Sequence, residues 1–579
     1  MRLERAGPDK PQSFRRGRAR PRAIAWFGFS AFWGHLRHLL ASAIATDNVD
    51  SRQWMTPDMP DALLARAIDL LGARGAKPSP TLAGALGGEL WIDFVADTGD
   101  DVSVSEAIAR LVFRDYVVGD PDDPAAELAL PRGHVLFLGG DLAYPVATVR
   151  EITRRLITPW NRVLESLGDD TPRLLLAVPG NHDWYDGLDG FARLCQAPCD
   201  FETPAPRDET LHPEPSQFPV LAWAEAFSRG ATVRKPGGLA LYGYYPAQRT
   251  SYFRLPLASE LELWAVDRQL RNIDRRQREY FRTSDARAPL VVLPDPARAW
   301  GEVRPHGVAS LRSIGVDPKA QRAYVLAGDV HHYERSREGD SVHVVAGGGG
   351  AFLHGARVAR GAAYDPLAEF PGPRASWSML ARLPLHVAIG RAGLLLTAGL
   401  ALMQAFGLLA HAGHHADAAR VVGAVETALV AVGTTLLVGL RRHRKHRVLP
   451  FAVGIGLVVA AMPLAVGMVF DWAGIHLLGN GLGAGALSLW IAWLAATLLS
   501  GAAFGFMLFL IARFGLNHAQ PYAALGLPTH KHFARLRVRE TERGAVVDTF
   551  VVGQVDPLGD SPPVLVDHFR WTPSRGLEP

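Results

Sequence analysis

The rhythm of hydrophobic positions changes along this chain. Between about 85 and 375 the apolar residues fall in short runs closed by Gly or Asp, at 90–96, 134–138, 173–178, 261–266, 290–293, 323–327 and 341–346. Short apolar runs bounded by turn formers predict buried strands. Helical spacing at 146–167 and 273–281 separates some of them, which predicts an α/β layered domain over 85–375. Beyond 376 the pattern is apolar all round. Segments 392–410, 421–440, 448–470 and 486–512 each approach the ~20 residues a spanning helix needs, and only the second holds an ionisable residue, Glu426. Residues 376–512 are therefore expected to form a four-helix transmembrane region. After 513, alternation returns at 533–540, 546–555 and 564–571. It predicts a small C-terminal β segment, either a unit of its own or strands added to the main domain.

The N-terminal part is different again. Residues 1–22 hold eight Lys or Arg, two acidic residues and three prolines, a composition expected to be disordered. Residues 23–84 read as a helical segment. Its apolar start at 23–45 is interrupted by His35, Arg37 and His38 and is not followed cleanly by a cleavage site. An amphipathic helix on a membrane surface or on the folded domain fits better than an export signal.

Composition narrows the class. A chain of 579 residues that is 48% hydrophobic and 20% charged is not disordered as a whole. Two cysteines, Cys195 and Cys199, exclude a disulfide scaffold or a Cys-rich zinc module. The net charge of +4 matters through its placement. Residues 441–447 carry five Lys or Arg, whereas the other two inter-span loops share a single Arg. The positive-inside rule then places the soluble domain and both termini in the cytoplasm, at the cell's inner membrane. There both thiols are expected to be reduced. Membrane lipids, rather than a specific nucleic acid, are the expected partner of the basic segments.

Chemistry gathers at strand ends. One run delivers Asp97 onto Gly99. A second ends Gly140-Asp141-Leu-Ala-Tyr144, and a third ends Gly180-Asn181-His182-Asp183. A fourth ends Gly328-Asp329-Val-His331-His332. Each alone reads equally as a turn or a cap. Together they place carboxylate, amide and imidazole groups at the carboxyl edge of a sheet, where open α/β folds bind ligands. That donor set suits hard to borderline divalent metals.

In this order the motifs resemble the calcineurin-like metallophosphoesterases. Asp-x-Gly and Gly-Asp-x-x-Tyr are similar to the purple acid phosphatases among them, and the longer phrases resemble a branch that carries transmembrane helices. The resemblance spans about 90–355. It implies a β-sandwich flanked by helices and a dinuclear centre of Mn, Fe, Mg or Zn. By that resemblance Asp97, Tyr144 and His331 hold the first ion, Asp141 bridges, and Asn181 and Asp329 serve the second. His182 would contact the phosphate and act as general acid, while a metal-bound hydroxide attacks a phosphomonoester or phosphodiester. Tethering suits a lipid-linked substrate. Asp183, Asp295, His332 and His354 are candidates for supporting or substrate-contacting roles.

The chain departs from the pattern in one region. A histidine expected after the 290–293 strand is replaced by Pro294, with Asp295 beside it, and Asp329 stands where the last motif usually has histidine. An oxygen-rich second site or an empty one follows. Two other classes stay open: a non-catalytic metal- or phosphate-binding sensor, and a transporter or channel with a phosphatase-like regulatory domain. For transport, Glu426 is the one intramembrane candidate, placed where it can snorkel outward. His306 and the loop histidines His411, His414 and His415 are expected to be solvated. Substrate identity and oligomeric state are not encoded in any pattern above.

Overall fold

The computed structural model describes residues 4–6, 23–24, 26, 55–123, 125–197, 239–268, 273–284, 289–413, 416–438, 445–475, 477, 482–559 and 561–578. The expected amphipathic helix at 23–45, Cys199, His414, His415 and most of the basic loop lie largely or wholly outside these residues. Of the N-terminal 22 residues, Glu4–Ala6 form a short strand beside Asp115–Gly119 rather than disordered chain. An exposed sheet edge offers unpaired backbone groups that capture such a segment.

Most strands fall in two large mixed sheets. The first contains β1 (Glu89–Val95), β2 (Val135–Leu138), β3 (Arg173–Ala177) and β4 (Tyr244–Pro246), all parallel. The second contains β5 (Phe253–Ala258), β6 (Leu261–Ala265), β7 (Leu290–Leu293), β8 (Tyr324–Ala327), β9 (Tyr333–Glu338), β10 (Ser341–Ala346) and β11 (Ala368–Phe370). Its order is β11-β9-β10-β8-β7-β6-β5, and β6, β7, β8 and β10 run parallel.

The C-terminal segment belongs to the first sheet. There β12 (Lys531–Thr541), β13 (Gly544–Gln554), β14 (Val564–Thr572) and β15 (Gly576–Leu577) extend it antiparallel, with β12 directly against β1. Of the two sequence readings, the one that adds these strands to the main domain holds.

The period of two decides the layering. On β1, Leu90, Ile92 and Phe94 enter a core shared with Leu263, Val292, Leu326 and Val344 of the second sheet. Trp91 and Val95 face the other way, onto α2 (Val102–Val112) and α3 (Thr158–Leu167). The outer face of the second sheet packs on α4 (Arg275–Arg282) and α5 (Pro305–Ser313) through Phe281 and Leu311. Strands buried on both faces read as continuous apolar runs, which is why the sequence pattern exposed them. An earlier helix, α1 (Pro60–Leu70), adds Leu63, Leu64 and Ala67 to the shared core.

The helical region comprises α6 (Leu394–Ala412), α7 (Ala416–Val438), α8 (Lys445–Trp472) and α9 (Leu482–Arg513). Among the described residues, three helices are long and apolar enough to cross a membrane: α6, α8 from Leu449 and α9 from Gly485. The expected span at 421–440 falls on α7 and runs past its end into residues outside those described. Leu402, Phe406, Leu457, Met468 and Trp490 are more than half exposed. Apolar surface on this scale suits hydrocarbon, not water.

Candidate metal and phosphate site

The parallel strands of both sheets end at one place. Ile92 to Val95 pair level with Val135 to Leu138, and these with Leu174 to Ala177. Asp97, Asp141 and Asn181, each a few residues beyond its strand, are thereby carried to the same edge. In the second sheet, β8 delivers Asp329 and His331 in the same way. Asp97, Asp141 and Asp329 all have left-handed backbones, with φ of 60°, 53° and 66°. Aspartate tolerates this region better than most residues, and such conformers concentrate at functional sites.

Four side chains converge. Tyr144 Oη lies 3.1 Å from Asp97 Oδ1, 3.3 Å from Asp141 Oδ2 and 3.3 Å from His331 Nε2. Asp97 Oδ2 is buried with no hydrogen-bond partner among the described residues. Burial pushes the Asp97 carboxyl up, against the pull of His331. Burial and the neighbouring Asp97 and Asp183 push Asp141 well up, and burial does the same to the Tyr144 phenol. Two buried carboxylates, a phenol and an imidazole around an orphaned oxygen fit a cation, which removes the repulsion that otherwise retains protons.

The supporting contacts fix these groups. His331 Nδ1 is 2.7 Å from the Phe352 carbonyl, so it donates there and Nε2 faces Tyr144 and Asp97. His354 Nδ1 accepts the His331 backbone N–H at 3.0 Å, and its ring stacks on His331 at 4.1 Å. It is thus a brace for His331. Asp183 accepts from the backbone N–H groups of Asp141, Gly180 and Leu142 at 2.8, 2.8 and 3.1 Å. Burial still pushes its carboxyl up to about 7. Glycine is required beside both acids. A Cβ at Gly180 would fall 2.1 Å from Asp141 Oδ1, and one at Gly347 would fall 2.5 Å from Asp97 Oδ2.

His182 stands next to this group. Its backbone N–H donates to Asp141 Oδ1 at 2.8 Å, and its Nδ1 lies 2.7 Å from the Pro145 carbonyl. Nε2 is therefore the nitrogen suited to exchange a proton with a ligand. Its ring centroid is 4.5 Å from that of Tyr144 and 5.9 Å from that of Trp26.

The residues expected at a second ion already make other contacts. Asn181 Nδ2 donates to Tyr185 Oη at 3.2 Å. Asp295 is ion-paired with Arg268, and Asp329 Oδ2 lies 3.6 Å from Arg304 Nη2. Pro294 offers no donor side chain. His332 turns away from His331 and joins another group, with Glu334 and Glu369, whose ligating atoms all lie within 4.8 Å of one another. Glu334 and Glu369 face each other across the β9–β11 pair. Glu334 already accepts from Trp300 N–H at 2.6 Å and Tyr364 Oη at 2.5 Å. Burial and Glu334 push Glu369 up to about 7.

Sequence reasoning missed Arg268, Arg304 and Lys531. A signal existed for Arg268, because it follows the end of β6 as the other site residues follow theirs. Lys531 reaches the Ala351 carbonyl from β12, fully buried, and burial pushes its ammonium down to about 7. His411 pairs with Asp471 at 2.9 Å, in a contact open to the surroundings. Glu426 does not snorkel but is 3% exposed, and its carboxylate oxygens have no hydrogen-bond partner among the described residues. The buried thiol of Cys195 is unpaired among the described residues. No protein-family model matches this chain, and no curated protein is similar enough to match it.

Proposed function

We propose that this chain is a membrane-anchored, metal-dependent phosphoesterase of the calcineurin-like type, built on a β-sandwich flanked by helices. The observation that carries this reading is the convergence of Asp97, Asp141, Tyr144 and His331 on one point, with His182 alongside. Those four side chains would hold the cation. When bound, such an ion polarises a phosphoryl oxygen and makes water a stronger nucleophile near neutral pH. The chain's own residues do the rest. His182 binds a phosphoryl oxygen and passes a proton from Nε2 to the leaving oxygen, while the Pro145 carbonyl holds its tautomer. Asp183 keeps the Asp141 turn in place. Trp26 and Phe352, whose ring centroids are 5.6 Å apart, add apolar surface beside His182 and His331.

The membrane part of the reading rests on parity. Chain before α6 and chain after α9 pair in one sheet, so both lie on one side of the bilayer. An even number of crossings must separate them. The 23 residues of α7 extend about 35 Å at 1.5 Å each, enough for a fourth crossing. The basic loop between α7 and α8 favours the cytoplasm for the sheet side, where a substrate in the inner leaflet is within reach.

The test is hydrolysis of a nitrophenyl phosphomonoester and a bis-nitrophenyl phosphodiester by the detergent-solubilised full chain with Mn²⁺. Turnover of at least one is expected. In His182→Ala it should fall by roughly 10²–10⁴ with ion uptake unchanged. Turnover that survives His182→Ala would overturn the mechanism. Ion uptake without any turnover would favour a binding protein.

A further inference from the structure

The place where a second ion would sit is bordered by two guanidinium groups. Arg268 follows β6 and is ion-paired with Asp295, which follows β7. Arg304, just before α5, approaches Asp329 and lies over the Trp300 ring at 5.2 Å from its centroid. The Arg268 and Arg304 side chains are only 12% and 16% exposed, whereas Asp329 is 34% exposed. Asp329 is near enough to Asp97 and Asp141 for its charge to act on both, and Arg268 feels both Asp329 and Arg304. All four groups therefore edge the cation site on the side of the second sheet.

Charge balance decides what this edge can hold. Asp97 and Asp141 together offer two negative charges, which one divalent ion neutralises. Asp295 and Asp329 offer two more, and Arg268 and Arg304 already cancel them. A second dication placed there would meet no net negative charge and two half-buried cations. A phosphoryl group meets the opposite situation. Guanidinium is permanently charged, and its planar fork matches phosphate oxygens, so an incoming phosphate competes well with the carboxylates for it.

Resting on the phosphoesterase reading, we propose that this chain holds a single cation, and that Arg268 and Arg304 stand in for the second by binding the phosphoryl oxygens. Asp295 and Asp329 are then positioning residues that hold the two forks at the edge of the site.

The experiment uses the full chain in detergent, stripped with chelator, reloaded with Mn²⁺, counted by elemental analysis and titrated with inorganic phosphate by calorimetry. One Mn²⁺ per chain and measurable phosphate binding are expected. Arg268→Gln/Arg304→Gln should keep the Mn²⁺ and lose roughly ten- to a hundredfold in phosphate affinity, the worth of hydrogen bonds to a charged group. Arg304→Lys keeps the charge and guards against misfolding. It should bind phosphate several-fold more weakly with the same Mn²⁺ count. Two Mn²⁺ per wild-type chain, or unchanged phosphate affinity in both variants, would overturn the single-cation inference alone. No Mn²⁺ in the wild type would overturn the phosphoesterase reading itself.

Discussion

At the scale of single residues, the proposed site would set protons against a cation. Asp97, Asp141 and Tyr144 all hold protons more tightly than usual, chiefly because they are buried. A cation must displace those protons, so its affinity rises with pH from mildly acidic conditions through neutrality. Mn²⁺ titrations at several pH values should show this slope, and Tyr144→Phe should flatten it. The same shifts act on folding. Without an ion, the folded chain keeps carboxyl protons that the unfolded chain releases above the ordinary carboxylate range. Stability of the metal-free protein should therefore fall as pH rises toward neutrality. Thermal melts with and without Mn²⁺ should diverge on raising the pH. Backbone shape is as decisive as charge. Gly180→Ala places a methyl group against Asp141 Oδ1, and is expected to abolish ion uptake while far-UV circular dichroism stays native-like.

At the scale of elements, the C-terminal strand is structural to the site. Arg535 on β12 is fully buried. It pairs with Asp93 on β1 at 2.6 Å and also donates to the Leu130 and Val112 carbonyls. Removing one partner strands a buried charge, so Arg535→Met should cost about 3–5 kcal/mol, read by denaturant unfolding. A chain ending at residue 530 leaves the edge of β1 open and should lose ion binding altogether.

The strand ends were legible in the sequence because each couples a short buried run to Gly and Asp within a few residues. Tyr144 and His331 are singled out by the family resemblance, which those same strand-end motifs carry. What spacing cannot convey is contact between neighbouring strands and the loops that follow them. Arg268 meets Asp295, Arg304 meets Asp329, and Glu334 meets Glu369 only once register is set. The pairing of β12 with β1 joins segments more than 400 residues apart, and alternation within β12 names no partner.

At the scale of the whole molecule, one sheet joins strands from before and after the apolar helices. The parity argument predicts that reporters fused after Leu380 and after Pro579 report the same side of the membrane, and that one in 411–416 reports the opposite side. A mismatch between the first two would contradict the pairing of β12 with β1. Hydropathy alone suggested four crossings, and under the proposed membrane reading the returning strand calls for an even number.

That return also orders the life of the chain in time. Synthesis runs from the N-terminus, and β1, which carries Asp97, is made early. Its neighbour β12 emerges only after every bundle helix has left the ribosome. Until then β1 has one open edge, and the turn bearing Asp97 lacks its support. A nascent chain stalled before β12 emerges therefore has no finished site, so under the proposed function hydrolysis would begin only after the bundle helices have been made.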